Sequence, residues 1–277
     1  MDKKLIFLDI DGTLIFAMQP PSALAVEAVR GARNNGHRVF LCTGRSMPII
    51  GKDILEIGFD GVIASGGGHV ETEGKVLFDH VLSEETIQEC LSVFHGQGMY
   101  CRIEGAEGIY TDPQMEELLQ KEPSDAVSVE LIRMEKELEA GIHIQLYERY
   151  PRKGAYKICF TATGMEAVKK TEKQLGDRFV YAVYPYRNSP VCLNGEIIPK
   201  EIGKGKGIEL ICKHYGTDLA DTVAFGDGMN DFEMMETAGC SIAMGNACEE
   251  IKRVADHVCR SVQEDGIYHA FKGMGLI

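Results

Sequence analysis

No apolar stretch in this chain approaches the length of a membrane-spanning helix, so no such helix is expected. No C-x-x-C pair occurs, and the nine cysteines are scattered and odd in number. Most sit in apolar runs, such as Cys42 in VFLCTG and Cys240 in GCSIAM. They read as small buried hydrophobes in a reducing cytoplasm rather than as a disulfide framework. The eight histidines show no metal-ligand spacing. The opening MDKKLIFLDID has no signal-peptide pattern, because charge returns within a few residues. Neither an internal repeat nor a low-complexity linker is found. Positive charge is scarce: the formal net charge is -13. That argues against nucleic acid or an anionic membrane as the main partner. A small phosphate ligand remains open, because a metal ion and a few donors override the global field locally.

What is present is a soluble-protein composition, 44% hydrophobic and 26% charged over 277 residues, with room for one or two domains. The chain is organised around Lys4 to Ile15, KLIFLDIDGTLI. Leu5 to Leu8 read as a strand buried on both faces. Asp9 and Asp11 follow where it stops and point the same way, at the carboxyl end where open α/β sheets bind ligands. Gly12 allows a tight turn. Adjacent carboxylates repel, so the pair calls for a cation, a proton or both.

Ser22 caps a helix that keeps its apolar spacing to Gly36. Strands follow at Arg38 to Cys42, ending in Thr43-Gly44-Arg45, and at Gly61 to Ser65, with a helix expected between them through Ile49 and Leu55 to Gly58. Glu73-Gly74 reads as a hairpin turn. From Ser83 the alternation stops. A helix to His95 leads to strands at MYCRIEG, Ile142 to Tyr147, Lys157 to Ala162 and Phe179 to Tyr184. Helices are expected near Pro113 to Glu122 and over Met165 to Leu175. Glu135 to Glu139 reads as a solvated charge run. At Lys204 the βα alternation resumes, through TVAF at Thr222 to Phe225 and GDGMND at Gly226 to Asp231. The expected fold class is therefore α/β: a doubly wound, Rossmann-like parallel sheet (residues 1–82 and 188–277) with an inserted α+β domain (83–187).

Three strands thus end in polar residues on one rim: Asp9 and Asp11, Thr43, and Asp227, Asn230 and Asp231. Lys204 opens the helix before the last of them. The carboxylates suit a hard cation such as Mg²⁺. The hydroxyl, ammonium and amide suit phosphate oxygens. Taken in this order, the residues resemble the haloacid dehalogenase (HAD) superfamily of aspartate-nucleophile phosphohydrolases, closest to its Cof-like branch. DIDGT at Asp9 matches that family's first motif, Thr43 in LCTGR the second, Lys204 in GKGKGIEL the third and GDGMND the fourth. QEDGI at Gln263 resembles the usual opening of the last helix.

The resemblance implies roles. Asp9 is the expected nucleophile and Asp11 the acid and base. Mg²⁺ is expected on the Asp9 carboxylate, the Asp11 carbonyl and Asp227. Gly12, Thr43, Gly44, Lys204 and Asn230 are expected to hold the phosphoryl group, and Asp231 to orient Lys204 or a metal-bound water. The implied activity is cytoplasmic hydrolysis of a small phosphorylated metabolite, with a sugar phosphate in first place, by a monomer or small homo-oligomer. The insert is expected to close over Asp9 and contact the non-phosphate end of the substrate. Alternatives stay open: a phosphotransferase or mutase using the same intermediate, a phospho-acceptor regulatory module, Lys206 in place of Lys204, Thr43 as a simple helix cap and Asp231 as another. Gly66 stands where the branch usually has Asn. Gly66-Gly67-Gly68 is not read as a nucleotide loop, since no GK[ST] follows.

Overall fold

The computed structural model describes residues 3–17, 19–105, 108–113, 144–185 and 193–277. They form two compact units, one made of Met1–Arg45, Ile50–Asp79 and Ile202–Ile277, the other of Ser46–Ile49 and His80–Glu201.

The first unit is built on β1 (Leu5–Leu8), β2 (Arg38–Cys42), β3 (Gly61–Ala64), β4 (His69–Thr72) and β5 (Lys75–Asp79). The chain returns to it, after six strands of the second unit, with β12 (Thr222–Gly226), β13 (Cys240–Ala243) and β14 (His257–Val258). Their order is β14-β13-β12-β1-β2-β3-β4-β5. The six strands from β14 to β3 run parallel, and β4 and β5 add an antiparallel edge. All four residues of β1 are buried, as the unbroken apolar run LIFL requires of a central strand covered on both faces. Phe7, Phe40, Ile63 and Ala224 pack with Ile208, Ile211 and Met234 of the covering helices.

Ser22 caps the helix Ala23–Asn34 by accepting the Ala25 N–H. The helix expected through Ile49 to Gly58 is instead broken. A 3₁₀ turn at Met47–Ile49 precedes a four-residue helix at Lys52–Leu55. Pro48 lacks an N–H for a longer ladder, and Gly51 between the two pieces is extended rather than helical.

The second unit is a six-stranded sheet of order β10-β11-β9-β6-β7-β8. Its strands are β6 (Tyr100–Gly105), β7 (Gly108–Thr111), β8 (Ile144–Leu146), β9 (Ala155–Ala162), β10 (Phe179–Pro185) and β11 (Leu193–Pro199). All neighbours are antiparallel except β7 and β8. On one face Cys101, Ile103, Ile158, Phe160 and Ile197 pack against the helices Glu84–Gly96 and Met165–Leu175 through Ile87, Leu91, Phe94, Val168 and Leu175. The alternation of a pleated strand puts Arg102, Glu104, Lys157 and Glu196 on the other face, where all four are buried. Strand β7 is not among those expected from the sequence, and Glu196, which the sequence offers equally as a residue of the junction or of an ordinary strand, lies within β11. Because β11 pairs with both β9 and β10, this unit runs to Glu201 rather than stopping at 187. Most of the expected helix near Pro113 to Glu122, and all of Glu135 to Glu139, lie outside the described residues.

Candidate active site

The site lies within the first unit, at the carboxyl ends of β1, β2 and β12. Asp9 continues the parallel ladder by donating its N–H to the Phe225 carbonyl, so its position is fixed by the backbone of β12. Its side chain is buried, the residue being 2% exposed. Lys204, equally buried, opens the helix Lys204–Tyr215 on the face that carries Ile208 and Ile211. Its Nζ donates to Asp9 Oδ1 at 2.7 Å and to Asp231 Oδ1. Lys206 is exposed, and Lys204 is the lysine that reaches Asp9.

Asp231 does not cap the following helix through its side chain. Its Oδ2 instead accepts the N–H groups of Asp227, at 2.9 Å, and Gly228, at 3.1 Å. One carboxylate thus folds the GDGMND loop back on itself and steadies Lys204. Thr43 is buried and is held by its N–H on the Ile63 carbonyl. Its Oγ1 accepts the Arg45 N–H, a local turn rather than a helix cap. Asn230 is exposed and lies beside Gly44, its Nδ2 3.8 Å from where a Gly44 Cβ would stand.

Two residues were not singled out from sequence. Arg45 is buried and grips Asp11 with both arms, Nε to Oδ2 at 2.8 Å and Nη2 to Oδ1 at 2.6 Å. Planar two-point pairing of this kind aims a carboxylate as well as neutralising it. The LCTGR string contained the signal, since an Arg two residues past a rim Thr shares its rim. Asn246 donates through Nδ2 to the Gly12 carbonyl at 2.8 Å and accepts the Val262 N–H. It ties the first loop to the last segment, and no spacing rule pointed to it. Gly12 itself has φ +84 and spends its N–H on the Ile15 carbonyl, so it is not a free donor for a ligand. A Cβ there would stand 2.1 Å from Asp227 Oδ2; glycine is required by that close approach. Gly66, also at positive φ, donates its N–H to the Thr43 carbonyl, a main-chain bond that needs no side chain.

The electrostatics are those of crowded acid. Burial, then the charges of Asp231, Asp227 and Asp11, push the Asp9 carboxyl well up, with Lys204 offsetting part of this. Burial and Asp231 push Asp227 up to about 7. Burial alone would lower Lys204, but Asp231 and Asp9 outweigh it and hold the ammonium charged. Oxygens of Asp9, Asp227 and Asp231 lie within 4.8 Å of one another, close enough to share one metal ion. Asp231 spends its two oxygens on Lys204 and on the Asp227 and Gly228 N–H groups, whereas Asp227 accepts only longer side-chain contacts, 3.4 Å from Thr13 and 3.4 Å from Asn246. An all-oxygen, anionic set of this kind suits Mg²⁺.

The family model for haloacid dehalogenase-like hydrolases matches residues 6–271. Phosphatase YwpJ of Bacillus subtilis (strain 168) is 25% identical, over 97% of this chain and 99% of its own. An HMP-PP phosphatase of Yersinia pestis (strain Pestoides F) is 26% identical, over 90% of this chain and 86% of its own. Among solved structures, the HAD subclass IIB sugar phosphatase BT4131 superposes with a TM-score of 0.78 at 25% identity, covering 99% of this chain and 100% of its own. The rim of acids, hydroxyl and lysine therefore belongs to a phosphatase, and the chain is a member of the haloacid dehalogenase-like hydrolase family, in its Cof-like branch.

Proposed function

We propose that this phosphatase hydrolyses a small phosphorylated metabolite, in first place a sugar phosphate, through a phosphoryl group carried covalently on Asp9, with Mg²⁺ as cofactor. The observation that carries the reading is the buried Asp9–Lys204–Asp231 relay at the end of β1, with Asp11 two residues on. The sugar phosphatase BT4131 supports the substrate class.

The Asp9 carboxylate attacks phosphorus in line with the ester oxygen, forming the acyl phosphate as the ester bond breaks. Asp11, carrying a proton, gives it to the departing alkoxide. Arg45 holds both Asp11 oxygens, so in that step Asp11 turns from Arg45 to the leaving group. Returned to Arg45, the carboxylate is the base that accepts a proton from water as water attacks phosphorus and frees Asp9. Lys204 and the Thr43 hydroxyl bind the equatorial oxygens, with Asn230 at the open side. The Asp9 and Asp227 carboxylates and the Asp11 carbonyl would hold Mg²⁺, which when bound offsets the repulsion between an anionic nucleophile and an anionic substrate. The second unit is assigned to substrate choice.

The test is acid quench of the enzyme with ³²P-labelled substrate, followed by peptide mapping. Label on the peptide containing Asp9, acid-stable and cleaved by hydroxylamine, is expected. Label on any other residue, or phosphate release with no label trapped under single turnover in the Asp11→Asn variant, would overturn the reading.

A further inference from the structure

Among the described residues, a histidine, a cysteine and an aspartate that are unremarkable by spacing converge in the second unit. His95 lies in the last turn of the helix Glu84–Gly96, Cys101 is the second residue of β6, and Asp112 directly follows β7. The antiparallel register of β6 and β7 pairs Arg102 with Thr111, which brings Asp112 beside Cys101. Asp112 donates its N–H to the Cys101 carbonyl at 3.0 Å and, through Oδ2, accepts the Cys101 N–H at 2.6 Å. The tight turn after the helix carries His95 back over the same point, with Nε2 2.8 Å from Asp112 Oδ2. The imidazole nitrogen, the Cys101 sulfur and an Asp112 oxygen all lie within 4.8 Å of one another.

We propose that His95, Cys101 and Asp112 form a binding site for a borderline-soft divalent cation of the Zn²⁺ type, separate from the Mg²⁺ site of the first unit. Three arguments carry it. The donor set is mixed nitrogen, sulfur and oxygen, which suits Zn²⁺ or Co²⁺ and not Mg²⁺, whose ligands are oxygens. The donors come from three different elements, and Asp112 is oriented in advance by a backbone N–H, as metal-binding carboxylates usually are. Access is graded: the Cys101 residue is 2% exposed and the His95 side chain 46%. The sulfur end is therefore dry, and the imidazole end opens to solvent for entry and for a fourth, water ligand.

The exchange balances. The cation takes the place now filled by the hydrogen bond between His95 and Asp112. The imidazole binds through Nε2 in the tautomer that carries its proton on Nδ1. Cys101 releases its thiol proton to solvent, so one proton leaves per cation bound. Burial and the Asp112 charge both hold that thiol protonated; a dication reverses the second of these effects. Once bound, the cation fastens the helix end to β6 and β7, and it stabilises the unit by linkage.

The experiment is titration of the full-length, reduced, metal-stripped protein with Co²⁺ in excess Mg²⁺, which fills the carboxylate site. The expected result is a near-ultraviolet thiolate-to-cobalt absorption band saturating at one Co²⁺ per chain and bleached by an equivalent of Zn²⁺. Cys101→Ser should abolish the band, and Cys90→Ala should leave it intact. His95 is half-exposed, so His95→Gln should fold. It should weaken Zn²⁺ binding by on the order of tenfold or more against a chromophoric chelator, and erase the rise in Tm that Zn²⁺ gives the parent. No band at saturating Co²⁺, a band that survives Cys101→Ser, or unchanged Zn²⁺ affinity in His95→Gln would overturn the proposal.

Discussion

Each unit gathers a cluster of ionisable side chains, and the two clusters differ in their charge balance. In the first unit four carboxylates, Asp9, Asp11, Asp227 and Asp231, face two cations, Arg45 and Lys204. In the second, Glu104 and Glu196 face Arg102 and Lys157: Arg102 Nη2 reaches Glu104 at 2.6 Å and Lys157 Nζ reaches Glu196 at 2.6 Å. Burying charge is costly, and a balanced set can offset that cost internally. Among the described residues the second cluster does so and reads as architecture. Among the described residues the first holds two more acids than cations, and burial, then the crowding of its carboxylates, pushes Asp9 and Asp227 up. An unbalanced buried cluster on a sheet rim marks where a cation and a reaction belong.

Breaking the first cluster at its nucleophile should have the largest effect. Asp9→Asn is expected to lower kcat for an aryl phosphate by on the order of a thousand-fold or more and to abolish labelling of the enzyme. Phosphate release assays with acid-quench labelling check both. Breaking each cluster at one cation comes next. Lys157→Met leaves Glu196 without its cation, while Glu104 keeps Arg102, and urea unfolding should show a loss of roughly 3–5 kcal/mol. Adding Glu196→Leu should recover most of it, because a balanced pair is then replaced by apolar contact. The matching double change Lys204→Met with Asp231→Leu should leave turnover as low as the single Lys204→Met. A double variant of the first cluster that regains activity would show the two clusters to be alike. The smallest of these effects is steric. Gly12→Ala puts a Cβ against Asp227 at a backbone angle that disfavours alanine by about 1–2 kcal/mol. The expected outcome is a raised Mg²⁺ requirement in a steady-state titration, with folding retained by circular dichroism.

The same contrast explains what was legible in the sequence. The rim was readable because its parts are local: an apolar run ending in DxD, a strand ending in TGR, another ending in GDGMND. Each strand end fixes its own polar residue, and a parallel sheet aligns the ends. The Lys204 ammonium was readable from the helix it opens. Arg45 was missed because its partner, Asp11, is supplied by a neighbouring strand. Asn246 was missed because it acts through main-chain groups of Gly12 and Val262, which leave no sequence pattern. In the second unit β11 gave a weak signal: NGEIIP carries a Gly and a Glu within the run. Its place is fixed by pairing with β9 and β10, a long-range event. The His95–Cys101–Asp112 cluster was hidden for the same reason, because register rather than spacing assembles it.

The most direct test of the charge-deficit account is turnover of an aryl phosphate by exhaustively chelated protein, followed by addition of Mg²⁺ alone. The account predicts no phosphate release in excess chelator and full recovery with Mg²⁺, without any Zn²⁺. Undiminished turnover in excess chelator would contradict it.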